Sequence, residues 1–204
     1  MKRKYIVLLI ILGLPLLDVF YACCNCNDNV EEKFYINSGF SLTNIDNSGK
    51  EPLESASENI NKKAYGMRLQ VNRATVAFLK KHTNQPLFSS SAYAFSCDCP
   101  PEVTYNHKYN VETVKIITLN NFNADKPANS DITEYFKIHK KYSDINDIVE
   151  YLNYDFGYQL KETEYFDLLL MVPPSETNIQ HQFKVVITFE NKPPIELVTS
   201  VNLI

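Results

Sequence analysis

The chain has 204 residues, 45% of them hydrophobic and 22% charged. That is enough for one globular core, and it excludes collagen-like, low-complexity and disordered classes. The formal charge is −4, with only 5 Gly and no Trp beside 13 Tyr and 12 Phe. An acidic body repels phosphate backbones and scarce glycine leaves few phosphate-cradling loops, so nucleic acid is not an expected partner.

Lys2, Arg3 and Lys4 precede an apolar run from Tyr5 to Leu17, followed by a short stretch from Asp18 to Ala22. This order predicts a secretory signal over residues 1–22. The run is too short for a spanning helix, which needs about 20 apolar residues. Phe20-Tyr21-Ala22-Cys23 resembles a bacterial lipobox, with Cys23 as the lipidated residue and Phe20 standing where Leu is usual. Removing the leader leaves 17 basic and 23 acidic side chains, a charge of −6. The expected location is the cell envelope, at the outer membrane, with the lipid as the contact to the bilayer.

With Cys23 lipidated, Cys24, Cys26, Cys97 and Cys99 remain as two C-x-C pairs. An exported chain meets oxidising conditions, so an even set reads as disulfides. Residues two apart on a strand lie about 6.5–7 Å apart. That is at or beyond disulfide reach, so bonds are expected between the pairs rather than within them. Unpaired thiols, with Cys24 and Cys26 in a mobile tether, rank second, and a four-thiolate zinc site third, because its usual spacing is C-x2–4-C.

Residues 23–32 form a polar tether, and 33–204 are expected to make a single domain. Phe34, Ile36, Phe40 and Leu42 alternate with Tyr35, Asn37, Ser41 and Thr43. That period of two predicts a half-buried strand. Asp46 to Gly49 is a turn and 50–63 a loop or short helix. Tyr65 to Asn72 is a second strand, Val76 to Leu79 a third and Ala92 to Cys97 a fourth. Val111 to Leu119 has apolar residues on both faces and is expected at a sheet centre.

Ile132, Tyr135 and Phe136 have helical spacing. So do Ile145, Ile148, Val149 and Leu152, behind Ser143 as N-cap; two short helices are predicted. Phe166 to Val172 is an apolar strand interrupted by Asp167. Phe183–Glu190 and Ile195–Leu203 make a hairpin across Asn191 to Pro194. The sum is a mainly β fold, an antiparallel sandwich of about eight strands with two helical inserts.

The lipobox with Cys24 and Cys26 behind it, the run Ser91 to Cys97 and the closing hairpin together resemble a family of uncharacterised lipoproteins of Bacteroidetes-type Gram-negatives. The resemblance spans most of the chain. It implies an envelope location and no assigned activity.

No catalytic constellation emerges. His82, His107, His139 and His181 form no i, i+4 pair. Serine-hydrolase, Walker and dinucleotide motifs are missing, and no cofactor is expected. Asn44, Asp46 and Ser48 sit at positions 1, 3 and 5 of a calcium-like loop with Gly49 at 6, but Ser55 stands where a bidentate Glu belongs. An ordinary Asx turn explains the segment better. Tyr35, Tyr105, Tyr109, Tyr151, Tyr154, Tyr158 and Tyr165 offer stacking surfaces. The expected role is a non-enzymatic binding or structural module for an envelope protein or a glycan. The alternative is a hydrolase with a carboxylate site, which would need two convergent titratable groups in a pocket.

Overall fold

A computed structural model describes residues 30–80, 102–139, 143–154, 160–175 and 179–204. Ten strands and one α-helix follow in order: β1 (Val30–Asp46), β2 (Leu53–Glu54), β3 (Asn59–Ile60), β4 (Tyr65–Lys80), β5 (Glu102–His107), β6 (Val111–Thr118), β7 (Phe136–Ile138), α1 (Asn146–Leu152), β8 (Thr163–Leu170), β9 (Gln180–Phe189) and β10 (Lys192–Leu203). The protein is mainly β, as the alternating sequence requires.

The chain divides into two compact units, Phe34–Val76 with Tyr105–Ile204, and Met1–Lys33 with Ala77–Thr104. In the smaller unit Lys33 Nζ stands 3.8 Å from the Glu31 carboxylate and 5.5 Å from the centre of the Phe78 ring.

The six-stranded sheet runs β2-β1-β4-β8-β7, with β5 also paired to β1; the four-stranded sheet runs β3-β10-β9-β6. The β4–β8, β7–β8, β9–β10 and β6–β9 pairs are antiparallel, whereas β3 joins β10 in parallel. Met67, Leu69, Val71, Leu168 and Phe136 from the first sheet share one buried cluster with Val114, Ile116, Phe183, Val185 and Val201 from the second. Tyr65 stacks on Phe183 with ring centres 5.4 Å apart, and Phe136 meets Phe183 edge-on at 6.0 Å. Each such side chain contributes about 1.5–3 kcal/mol by leaving water.

β9 alternates buried and half-buried residues along its length. It joins β10 through a two-residue turn in which Asn191 has φ 63, a left-handed conformation that asparagine tolerates. The predicted hairpin is present. Its second strand begins earlier than expected, at Lys192, and the ladder is irregular between Lys192 and Ile195. Pro193 and Pro194 lack the N–H that a regular ladder needs there.

Four sequence expectations are corrected. The two helical inserts reduce to α1 alone among the described residues. Thr133–Tyr135 is a single 3-10 turn leading into β7. Ile132 N–H donates to the Ile116 carbonyl, and Phe136 pairs with Leu170, so cross-strand partners outcompete helical spacing. Ser143 does not cap α1, whose N-cap is Ile145 without a side-chain bond. Ser143 instead bridges to Ile138. Val76 to Leu79 is the end of β4 rather than a separate strand.

The strand at Val111 lies at the end of its sheet, not the centre. Its free edge is covered instead: Thr118 N–H donates to the Ser130 carbonyl, and Asn153 exchanges two hydrogen bonds with the Val111 backbone. Ala92 to Cys97, like Cys23, Cys24, Cys26, Cys97 and Cys99, lies outside the described residues. Among the described residues no helix is long and apolar enough to cross a membrane.

Candidate functional site: the outer face of the six-stranded sheet

The β4–β8 register decides which side chains meet. Met67 opposes Leu168 and Leu69 opposes Phe166, on the core side; Arg68 opposes Asp167, Gln70 opposes Tyr165 and Asn72 opposes Thr163, on the other. Alternation along each strand puts these last six on one face. A Cβ on Gly39 would stand 3.7 Å from the Asn72 amide nitrogen. Gly39 therefore shares this face, and by alternation so do the exposed Ser41 and Thr43.

Arg68 and Asp167 form a bidentate pair, Nε to Oδ1 at 2.6 Å and Nη2 to Oδ2 at 2.9 Å. Arg68 Nη1 donates to Glu54 at 3.3 Å and Nη2 to the Pro52 carbonyl at 3.4 Å. The guanidinium also lies 4.4 Å from the centre of the Tyr165 ring. The hydrogen bond to Asp167 raises the Arg68 pKa above its ordinary range, against the opposing effect of burial. Such an arginine is never neutral and its fork is already filled.

Across the next strand, His139 N–H donates to the Asp167 carbonyl at 2.8 Å. Its Nε2 stands 3.5 Å from Glu51 Oε2. Arg68, Asp167, His139, Glu51 and Tyr165 thus line a cleft of about 300 Å³.

Beside this charged cleft runs a neutral strip. Gln70 Nε2 donates to Asn72 Oδ1 at 3.2 Å, and the Thr163 hydroxyl donates to the same oxygen at 3.1 Å. Between strip and cleft stands Tyr165, 56% exposed. These groups are held by neighbours on rigid strands, so they present fixed donors and acceptors to whatever lies on the sheet.

A different polar cluster ends the inner row. Arg73, 5% exposed, donates through Nη1 to the Lys161 carbonyl at 3.0 Å and lies 5.8 Å from the centre of the Tyr151 ring. Burial lowers its pKa. The Tyr151 hydroxyl donates to Glu164 at 2.8 Å. Burial, and then this bond, push the Tyr151 pKa up to about 12. Tyr35, fully buried, donates to the Tyr154 carbonyl and packs its ring 5.0 Å from His107.

A hollow of about 460 Å³ is lined by Lys126, Asp131, Glu134 and Asp144 among others. Its acids are matched by lysines: Lys126 binds Glu134 at 2.8 Å, Lys115 lies 3.6 Å from Asp131 and Lys137 binds Asp144. Burial raises the Asp131 pKa, but bonds from Thr133 and the charge of Lys115 more than offset it, and the carboxyl sits below its ordinary value.

The other sequence candidates are dispersed. Asn44 Oδ1 accepts from the Tyr65 and Thr199 hydroxyls, and Asp46 Oδ1 accepts from Ser48 N–H at 2.8 Å. These contacts make a turn and a strand tie, not a cation cage. Among the described residues no three His, Cys, Asp or Glu side chains could hold a metal ion. The Tyr109 ring lies under Lys192 Nζ at 4.1 Å, whereas Tyr165 lies against Arg68.

The described tyrosines therefore do not make one patch; Tyr158, like His82, lies outside the described residues. Sequence reasoning missed Arg68, His139 and Glu51. The available signal was a charge flanked on both sides by apolar residues in each of two strands, Arg68 between Met67 and Leu69 and Asp167 between Phe166 and Leu168.

No curated protein and no solved structure matches the chain. A family model does match, over residues 37–200, and both strands of the candidate face fall within it. The chain belongs to that family, a domain of unknown function, DUF5034.

Proposed function

We propose that this is an exported lipoprotein of the Bacteroidetes type, anchored through Cys23 to the outer membrane. Its β body is a sandwich that acts as a binding module rather than an enzyme. Bonds between Cys24 or Cys26 and Cys97 or Cys99 fasten the tether. The observation that carries the reading is the outer face of the six-stranded sheet. Around Tyr165, Thr163 and Ser41 it is open, and there it is built from fixed polar groups around one exposed aromatic ring. A rigid sheet face of this kind suits recognition, because little ordering is required on contact.

Asp167 itself is held out of acid–base work in this cleft. General acid–base work needs a carboxylate free to move a proton. Both oxygens of Asp167 are held by one guanidinium.

The test is made in cells on the full chain. A photo-crosslinking amino acid at Ser41, on the open face, is expected to give envelope adducts. The same probe at Lys115, exposed on the four-stranded sheet, is expected to give none. Equal yields, or none at Ser41, would remove this face as the contact surface. In parallel, Cys23→Ala should abolish palmitate incorporation, and persistent labelling would remove the anchor.

A further inference from the structure

We infer that the outer face takes a neutral glycan, with a sugar ring lying on Tyr165 and its hydroxyls meeting Gln70, Asn72 and Thr163. The inference rests on the binding-module reading above and names the ligand class of that same face.

Three observations lead there. The first is the aromatic ring. Tyr165 is 56% exposed, yet its ring is fixed from one side by the Arg68 guanidinium at 4.4 Å. An immobilised aromatic face loses little freedom when an apolar sugar face lies on it.

The second is the chemistry of the strip. Gln70, Asn72 and Thr163 carry amide and hydroxyl groups, which both donate and accept. They are already oriented by mutual bonds at 3.1 and 3.2 Å. A hydroxyl is both donor and acceptor too, so a polyol can continue this network without an unpaired group. From Thr163 to Asp167 the strand offers about 13 Å of such surface, room for a short oligosaccharide rather than a single ring.

The third is the charge. Among the described residues that line the cleft, Arg68 is the one cation that is always charged, and four of its five N–H donors are taken by Asp167, Glu54 and Pro52 through the bonds above. Asp167, Glu54 and Glu51 outnumber it. A phosphate, sulfate or uronate would find no free fork and an excess of negative charge. An extended peptide would seek open backbone groups at a sheet edge, whereas β4 and β8 are interior strands of their sheet. Neutral hydroxyls fit the face and anions do not.

The experiment analyses the Ser41 adducts from cells. The expected adduct is a broad, high-mass species that stains for carbohydrate. It survives proteinase treatment of the partner and collapses after periodate cleavage of vicinal diols. Tyr165→Ala should lower its yield about tenfold, and Gln70→Ala several-fold. Both are surface changes, and an unaltered thermal melt shows that the fold is kept. A discrete adduct that yields foreign peptides and ignores periodate would overturn the glycan while leaving the binding module standing. An adduct whose partner is acidic polysaccharide would overturn neutrality, and so the inference. A periodate-sensitive adduct indifferent to Tyr165→Ala would overturn the placement on this ring.

Discussion

The two faces of the β4–β8 pair are made by the same strands and depend on different physics. On the inner face Met67, Leu69 and Val71 oppose Leu168, Phe166 and Glu164. Most of that row is stabilised by removal from water, which is non-directional and tolerates small shifts. On the outer face Arg68, Gln70 and Asn72 oppose Asp167, Tyr165 and Thr163. Those couples depend on geometry, and each partner loses value without the other. The strand carries an arginine for each face: Arg68 held by carboxylates and Arg73 buried beside a tyrosine ring. The inner face therefore depends on burial, and the outer face on paired polar groups.

The largest expected effect lies on the inner face. Leu69 is fully buried in the cluster shared by both sheets. Leu69→Ala should destabilise by about 3 kcal/mol, through lost burial and a residual cavity. Denaturant unfolding reads it as a lowered midpoint at constant slope. A loss no larger than that of Gln70→Ala, expected within about 0.5 kcal/mol for a surface change, would erase the distinction between the faces.

Next comes Asp167→Ala. Its side chain is 7% exposed and that of Arg68 18%, so the variant leaves a shielded guanidinium with Glu54 and Pro52 alone. A loss of about 2 kcal/mol follows from the severed charge-assisted bonds. The double change Arg68→Met with Asp167→Leu should recover most of it, because no unpaired charge remains. If the double variant were as unstable as the sum of the two single ones, the pair would not be acting as a unit.

Much of this contrast was legible in the sequence, and the misses have physical causes. Period-two alternation located β4, β9 and β10 because one face of each is core. It misread β1, where Tyr35 and Asn37 are buried low on the strand while Phe40 and Leu42 pack on the core higher up. The buried parity changes along that strand, and Tyr35 is inside because its hydroxyl finds the Tyr154 carbonyl. Helical spacing at Ile132 to Phe136 was overridden by bonds to β6 and β8, partners that no local pattern reveals.

The outer cleft was illegible for a similar reason. Arg68, Asp167 and His139 are far apart in the chain, and only the register across three strands makes them neighbours. Gly66 shows how closely that register is set: a Cβ there would stand 2.8 Å from the Leu168 carbonyl oxygen.

The smallest expected effect, and the one with a pH signature, concerns the polar end of the inner row. Tyr151→Phe keeps the ring against Phe166, whose centre is 5.4 Å away, and removes only the hydroxyl bonded to Glu164. A loss of about 1 kcal/mol is expected near neutrality. In the folded chain Tyr151 ionises at about 12, against about 10 when unfolded. The folded state therefore holds this proton more tightly. Its contribution is fully present below pH 10 and is lost as pH rises toward 12. Tyr65, also raised by burial, contributes in both proteins and cancels in the difference. Unfolding free energies measured side by side from pH 8 to 11.5 should thus show the wild type and Tyr151→Phe converging above pH 10. A gap that stays constant across that range would mean that the hydroxyl does not donate to Glu164, and that this end of the inner face is held by packing alone.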